Sequence, residues 1–358
     1  MDFVSRKFAF GDGDAPVVIG EIGVNHNGDA DLAKRLIDVA VAANVDVVKF
    51  QVFKTENEIS RYAELAPYQQ SNSPDAKTQF DLCKALELSH SSLHELKRYC
   101  ERQKIGFLCS VFDSESLAFL VRDLKVTSVK VASGEVTNIP LLEEVGACGL
   151  SVILSTGGST LPEVAKAVDV LANAGCSELV LLHCVSSYPA PDGELNLRAM
   201  KTMADAFKVP VGFSDHSAGI EAALAAAALG ACAIEKHFTI DRMLPGPDHQ
   251  ASLEPKDLEA LVSGVKNVPK GAVSPKWAAM LGDGVKIPTG AERENLPLIR
   301  RSLVAKRNLR KGERLARDMI EIKRPEGGIA PGDIHKLVGR ELNRDLDEDQ
   351  PITWACLV

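Results

Sequence analysis

The sequence predicts an α/β protein: a closed (β/α)₈ barrel followed by a small β-rich unit. Three observations carry this. Eight short apolar runs recur through the first 240 or so residues, amphipathic stretches alternate with them, and the pattern changes near residue 270. The runs are Val17–Gly23, Val45–Gln51, Gly106–Val111, Ser128–Ser133, Ser151–Thr156, Leu179–Val185, Val211–Ser214 and Ala233–Phe238. Each is nearly continuously apolar, as a parallel strand buried on both faces must be. Between them, Asp31–Ala43 carries Leu32, Leu36, Ile37 and Val41 on one helical face, and Leu93–Gln103, Leu161–Ala174 and Ile220–Leu229 repeat that pattern. Asn44, Gly175 and Gly230 stand where those helices should stop. Eight strand–helix units in about 250 residues are what a closed barrel requires. An open doubly wound sheet is the alternative, but no Gly-x-Gly-x-x-Gly follows the first run.

Residues 1–270 are therefore assigned to the barrel. One long polar insertion, Lys54–Glu87, follows the second run, and a loop of that length at that end of a barrel is usually functional. Residues 271–299, with Pro275, Pro288, Pro297 and several glycines, read as a linker. Residues 300–358 read as short strands and turns in a unit near the lower size limit for independent folding.

Composition narrows the function. A formal charge of −8 disfavours a nucleic-acid binder, which needs a basic face. No apolar run has the length of a membrane span or a signal-peptide core, so no membrane partner is expected. The eight cysteines form no Cys-x-x-Cys pair. They read as small buried hydrophobes, reduced in a cytoplasmic protein.

Active sites of such barrels form at the carboxyl ends of the strands, and each run carries polar residues there. These include Glu21, Lys49 and Gln51, Ser110, Lys130 with Ser133 and Glu135, Ser155, His183 with Tyr188, Ser214 with His216, and Glu235 with His237. Buried charge costs several kcal/mol unless paired, so strands of Val, Ile and Leu have no structural need for them. Lys49 and Lys130 read as point-charge partners for a phosphate, with a Schiff-base lysine or a snorkelling surface residue as alternatives. His216 and His237, on neighbouring strands, read as metal ligands, with Asp248 within reach. Glu21 and Glu135 read as acid–base groups or as structural ion pairs.

At these residues the sequence resembles the sialic acid synthase family. The motifs are Gly20-Glu21-Ile22-Gly23-Val24-Asn25-His26-Asn27-Gly28, Val48-Lys49-Phe50-Gln51, Lys130-Val131-Ala132-Ser133-Gly134-Glu135, Leu154-Ser155-Thr156-Gly157, Gly212-Phe213-Ser214-Asp215-His216, Glu235-Lys236-His237-Phe238-Thr239 and Pro245-Gly246-Pro247-Asp248-His249. The tail, with Ile322-Lys323-Arg324-Pro325 and Leu337-Val338-Gly339-Arg340, is similar to the family's antifreeze-like (SAF, β-clip) domain. The resemblance implies a metal-dependent synthase that condenses phosphoenolpyruvate with N-acetylmannosamine to give N-acetylneuraminate and phosphate. The alternative it implies is a legionaminic acid synthase using 2,4-diacetamido-2,4,6-trideoxymannose. By the same resemblance Lys49, Lys130, Ser133, Ser155 and Ser214 bind phosphoenolpyruvate. Gln51, Tyr188 and Arg324 meet the sugar, and Glu21, Glu135 and Asp248 serve the chemistry. His216 and His237 hold a divalent metal, manganese, with magnesium or cobalt as substitutes. A homodimer is implied in which the small domain is swapped, so that Arg324 enters the neighbour's site. Ser186 stands where some members carry asparagine, and Ala66-Pro67-Tyr68-Gln69 is similar to members of both acceptor types. A Schiff-base aldolase and a non-catalytic carbohydrate binder are the competing readings. The lysines, histidines and Arg324 are all present, which disfavours the second.

Overall fold

The computed structural model describes residues 15–65, 70, 72 and 76–358. Eight parallel strands close a barrel in chain order: β1 (Val17–Gly23), β2 (Val47–Val52), β3 (Gly106–Val111), β4 (Ser128–Val131), β5 (Ser151–Ser155), β6 (Glu178–Cys184), β7 (Val211–Asp215) and β8 (Ala233–His237). The main outer helices are α1 (Ala30–Ala42), then, past the insertion, α4 (His90–Gln103), α5 (Ser114–Arg122), α6 (Ile139–Ala147), α7 (Leu161–Ala174), α8 (Ala199–Phe207), α9 (Glu221–Ala228) and α10 (Pro255–Asn267). The strands match the sequence reading to within two residues at each end. The second starts later because Val45 closes the preceding turn, its N–H donating to Ala40. The fourth stops at Val131 because Ser133–Glu135 coil into a turn of 3₁₀ helix.

Local chemistry accounts for the helix ends. Asp29 caps α1 by accepting from the Asp31 N–H. Thr160 and Glu163 form a reciprocal capping box on α7, and Gly175, at φ 109°, ends it.

Side-chain alternation builds the site. The barrel floor is filled by Val17, Ile19, Val47, Leu108, Ile153, Val180, Leu182 and Ala233. Two residues further along, on the same inward face, stand Glu21, Lys49, Ser110, Ser155 and Glu235. Registry brings them level: Glu21 pairs with Lys49, Ser110 with Lys130, and Ser214 with Glu235. Outward positions such as Val48, Phe50, Val129, Leu181 and Phe213 pack beneath the helices.

The insertion carries α2 (Thr55–Glu58) and α3 (Gln79–Leu86). Leu82 and Leu86 of α3, with Leu65, pack on Val24 and Phe53. The stretch Ala66–Gln69 lies outside the described residues. Residues 271–299 are more than a connector. They form a 3₁₀ turn at Pro275–Met280 and the helix α11 (Gly290–Ile299), which Thr289 and Glu292 open with a second capping box. Beyond it, β9 (Ser302–Ala305) and β10 (Ile320–Lys323) pair antiparallel over a separate core that includes Leu303, Leu315, Leu337 and Ile352.

All eight cysteines are free. Cys100, Cys109, Cys184 and Cys356 are buried, but Cys83, Cys176 and Cys232 are only partly so, and Cys148 is exposed at the end of α6. The expectation of buried thiols fails at that surface position. Among the described residues no helix is long and apolar enough to cross a membrane.

Gly212 lets β7 and β8 approach closely. A Cβ there would lie 2.5 Å from the Ala233 carbonyl oxygen and 2.7 Å from a Leu182 methyl. Gly212→Ala is expected to cost about 1–3 kcal/mol by overpacking, read as a lower urea midpoint. An unchanged midpoint would mean that β7 and β8 separate freely at this point.

Candidate active site

The charged ring at the carboxyl face is a single connected cluster. The Lys49 ammonium lies 3.1 Å from Glu21 Oε2 and 3.4 Å from Glu235 Oε1, and donates to Ser110 Oγ at 3.2 Å. The Lys130 ammonium lies 3.9 Å from the same Glu235 oxygen and donates to Ser155 Oγ at 2.6 Å. Ser214 donates to Glu235 at 2.9 Å, and Gln51 donates to Glu21 at 3.0 Å. Lys49 and Lys130 are 4% and 2% exposed, which rules out the surface-lysine reading.

Burial alone would deprotonate Lys49, but Glu21 and Glu235 together overcome it and raise its pKa. For Lys130 burial prevails: Glu235 attracts it from farther away, Lys49 repels it, and its pKa falls. Glu235 faces both lysines, and their attraction outweighs burial and brings it down to about 2. Glu21 is raised by burial, which its lysine only partly offsets and the Glu235 charge reinforces.

His216 and His237 lie 5.7 Å apart between ring centroids. His216 Nδ1 sits 2.8 Å from the Val185 carbonyl. A carbonyl only accepts, so Nδ1 carries the proton and Nε2 keeps a lone pair. Tyr188 packs on the His216 ring at 4.3 Å, its hydroxyl 3.3 Å from Nε2. His237 Nδ1 is buried with no hydrogen-bond partner among the described residues and lies 3.8 Å from Asp248. Burial lowers His216 to about 4 and His237 well below its ordinary value, while burial and the Glu21 charge push Asp248 up to about 7. Two neutral imidazoles with a carboxyl beside them form a donor set that fits a divalent cation. Among the described residues no three His, Cys, Asp or Glu side chains converge as a complete metal cage, so water or substrate oxygens would complete the shell.

Except for His183, whose Nε2 lies 2.7 Å from the Leu195 carbonyl oxygen instead, one cavity of about 200 Å³ is lined by the residues singled out from sequence, among them Glu21, Lys49, Gln51, Lys130, Ser133, Glu135, Ser155, Tyr188, Ser214, His216, His237, Asp248 and Arg324. Two of them stand in contacts that the sequence did not suggest. Glu135 was expected among the chemical groups, yet both its oxygens are engaged. Oε1 takes the buried Arg301 guanidinium and Oε2 accepts from Asn138 at 2.7 Å. These contacts are the ones its structural ion-pair reading describes, and Glu135 also lines the cavity. Arg324 reaches the cavity mouth of its own chain, where its guanidinium pairs with Glu58. The exchange between subunits implied by the resemblance would make the same contact with the donor changed.

Sequence reasoning placed Glu235 on β8 without assigning it a task, and missed Glu58, Arg301 and Glu292. Glu292 Oε1 accepts from the Gly158 and Ser186 N–H groups at 2.6 and 2.8 Å, tying the loops after β5 and β6 to α11. The Thr289-x-x-Glu292 spacing could have flagged it. Glu58 and Arg301 carry no local signal.

A charged cavity at the strand carboxyl ends, closed by an appended unit, defines the class: a (β/α)₈-barrel enzyme with a C-terminal SAF domain. Residues 36–274 match the NeuB family and residues 300–358 the SAF domain. The chain belongs to the NeuB family. It is 41% identical to the N,N'-diacetyllegionaminic acid synthase of Campylobacter jejuni, over 94% of this chain and 98% of that one. It is 34% identical to the N-acetylneuraminate-9-phosphate synthase of Homo sapiens, over 94% and 90%. The crystal structure of the Bacillus subtilis spore coat polysaccharide biosynthesis protein spsE superposes with a TM-score of 0.81 at 33% identity, covering 96% of each chain.

Lys49→Met should destabilise the fold by about 3–5 kcal/mol, because it strands buried carboxylates. Pairing it with Glu21→Gln should recover part of the loss, and urea denaturation of the single and double variants measures both. A second expectation concerns acid. Burial holds His26 down to about 4 and His183 to about 3. Between those values and the ordinary 6.5 the unfolded chain binds protons that the folded chain refuses, so these groups remove stability as pH falls through 6.5. Asp248, raised to about 7, works in the opposite direction. The check is therefore differential: His183→Asn should show a smaller drop in urea midpoint from pH 7.5 to pH 5 than the parent chain.

Proposed function

We propose that this chain is a phosphoenolpyruvate-dependent synthase that joins the three-carbon unit to 2,4-diacetamido-2,4,6-trideoxymannose, giving N,N'-diacetyllegionaminic acid and phosphate. The observation that carries the choice of acceptor is the higher identity to the Campylobacter jejuni relative of that name, 41% against 34% for the human neuraminate-9-phosphate synthase. The cavity supports it. One side is apolar, built from Val24, Phe53, Leu82, Leu86 and Phe112. A 6-deoxy sugar ends in a methyl group, whose burial is favourable by about 0.8 kcal/mol. A hydroxyl left unpaired against the same wall costs about 1–3 kcal/mol. N-acetylmannosamine, the acceptor first expected, is the second reading. It is favoured by the polar lining residues Gln51 and Tyr188.

The roles follow from charge. Lys49 and Lys130, with Ser133, Ser155 and Ser214, receive the carboxylate and phosphate of phosphoenolpyruvate as fixed donors. Glu235 holds both ammonium groups in place before substrate arrives. Gln51, Tyr188 and Arg324 orient the sugar, while Glu21 and Asp248 flank the point where water must lose a proton. His216 and His237 would hold manganese, magnesium or cobalt, which when bound supplies Lewis acidity to the acceptor carbonyl. The condensation joins carbon 3 of phosphoenolpyruvate to the open-chain aldehyde, adds water at carbon 2 and releases phosphate.

The test is phosphate release from phosphoenolpyruvate with manganese and each sugar, beside a chelated control. Turnover with the diacetamido sugar should exceed that with N-acetylmannosamine by about tenfold or more and vanish with chelator. Preference for N-acetylmannosamine would reverse the acceptor assignment, and absence of phosphate release with both would overturn the reading. We further propose a swapped homodimer, tested by mixing Lys130→Ala with Arg324→Ala. In a dimer with exchanged small domains, mixed pairs regain one intact site, restoring about a quarter of the parental activity. Restoration of none would place Arg324 at its own chain's site.

A further inference from the structure

We propose that Glu58 and Arg301 are positioning residues for acceptor recognition, the middle of a buried charge relay that aims Arg324 into the cavity. The inference rests on the reading above that Arg324 meets the sugar. Four side chains alternate in sign: Arg324, Glu58, Arg301 and Glu135. The Glu58 carboxylate, 2% exposed, pairs with Arg324 and lies 3.5 Å from the Arg301 guanidinium. Arg301 is completely buried, spends two of its nitrogens on Glu135, and donates a third to the Glu58 carbonyl at 2.7 Å. Glu135 is held in turn by Asn138. The relay therefore begins in the 3₁₀ turn that follows β4 and finishes at Arg324, the one SAF-domain side chain among the described residues that lines the cavity.

Backbone contacts run parallel to it. The Arg324 N–H donates to the Glu58 carbonyl at 2.9 Å, and the Ser60 N–H donates to the Arg324 carbonyl at 2.9 Å. The neighbouring Lys323 is fixed by Asp349 at 2.6 Å, and Asp349 also accepts from the Arg61 N–H at 3.1 Å. The main chain at residue 324 is thus pinned to the insertion after β2. The Glu58 carboxylate pairs with the guanidinium and helps to direct it. The same Glu58 oxygen, Oε1, meets both guanidinium groups, so its place ties the position of the Arg324 head to that of buried Arg301. Glu58 also lines the cavity, so its charge faces the acceptor side as well as the domain contact. A purely structural ion pair would not need that placement.

The experiment uses the full chain with Glu58→Gln, Glu58→Asp and Arg301→Lys, each assayed well below its own melting temperature. KM is measured for the acceptor and for phosphoenolpyruvate separately. Glu58→Gln should raise the acceptor KM about tenfold, as loss of a charged hydrogen bond predicts, with the phosphoenolpyruvate KM within about twofold of the parent by the same reasoning. Arg301→Lys should shift the acceptor KM in the same direction, and Glu58→Asp should restore part of the loss. Equal rises for both substrates, or an unchanged acceptor KM, would overturn the proposal. If the parent chain turns over neither sugar, the functional reading has failed and the relay is judged by hydrogen exchange. Faster exchange at the Ser60 and Arg324 amides in Glu58→Gln and Arg301→Lys supports it, and unchanged exchange overturns it.

Discussion

One buried carboxylate governs the floor of the cavity. Glu235 stands between two ammonium groups that would otherwise repel each other where both are buried. Its position on β8, level with Ser214 and two residues beyond the apolar floor, decides where Lys49 and Lys130 come to rest. Several features follow from that placement: the pKa of Lys49 is raised, that of Lys130 is lowered, and Glu21, buried and repelled by the Glu235 charge, is raised even though it sits against Lys49. A site prepared in this way is electrically balanced when empty. It gains attraction for an anion by letting the lysines exchange a protein carboxylate for a substrate one, which keeps the reorganisation on binding small.

The fold was legible because the barrel strands obey a rule of period two over an apolar background. Every run was visible as a run, and the polar residue two places beyond the floor was visible as an intruder. The same rule brought Lys49, Ser110, Ser155 and Glu235 to one level. The ends of strands were less legible, since Val45 and Ser133 are as suited to a turn as to a strand. The helix within the linker was hard to see for a comparable reason. Prolines and glycines mark the segment as a connection, but Pro297 sits inside α11, and the capping box before it is the signal for that helix.

The residues that sequence could not supply are those whose meaning is long-range. Glu58 and Arg301 are 243 positions apart, and neither lies in a local pattern that marks it. Glu135 shows the converse. Its motif was visible, but the motif does not reveal that an arginine from beyond the barrel occupies its carboxylate. Glu292 belongs with these: it satisfies two backbone N–H groups, on loops after different strands, from a helix outside the barrel. Barrel and tail are therefore joined by side chains that only the folded chain brings together.

The burial of Arg301 bears on how such a protein can diverge. Its guanidinium closes a contact in which one side belongs to the barrel and the other to the tail, and both sides are charged. Recombination that gave the barrel a foreign tail would leave Glu58 and Glu135 facing each other without a cation, whatever the quality of the newcomer's own core. The two units consequently form a single heritable block, and novelty in acceptor choice has more room on the apolar side of the cavity, where Leu82 and Leu86 can be exchanged one methyl group at a time.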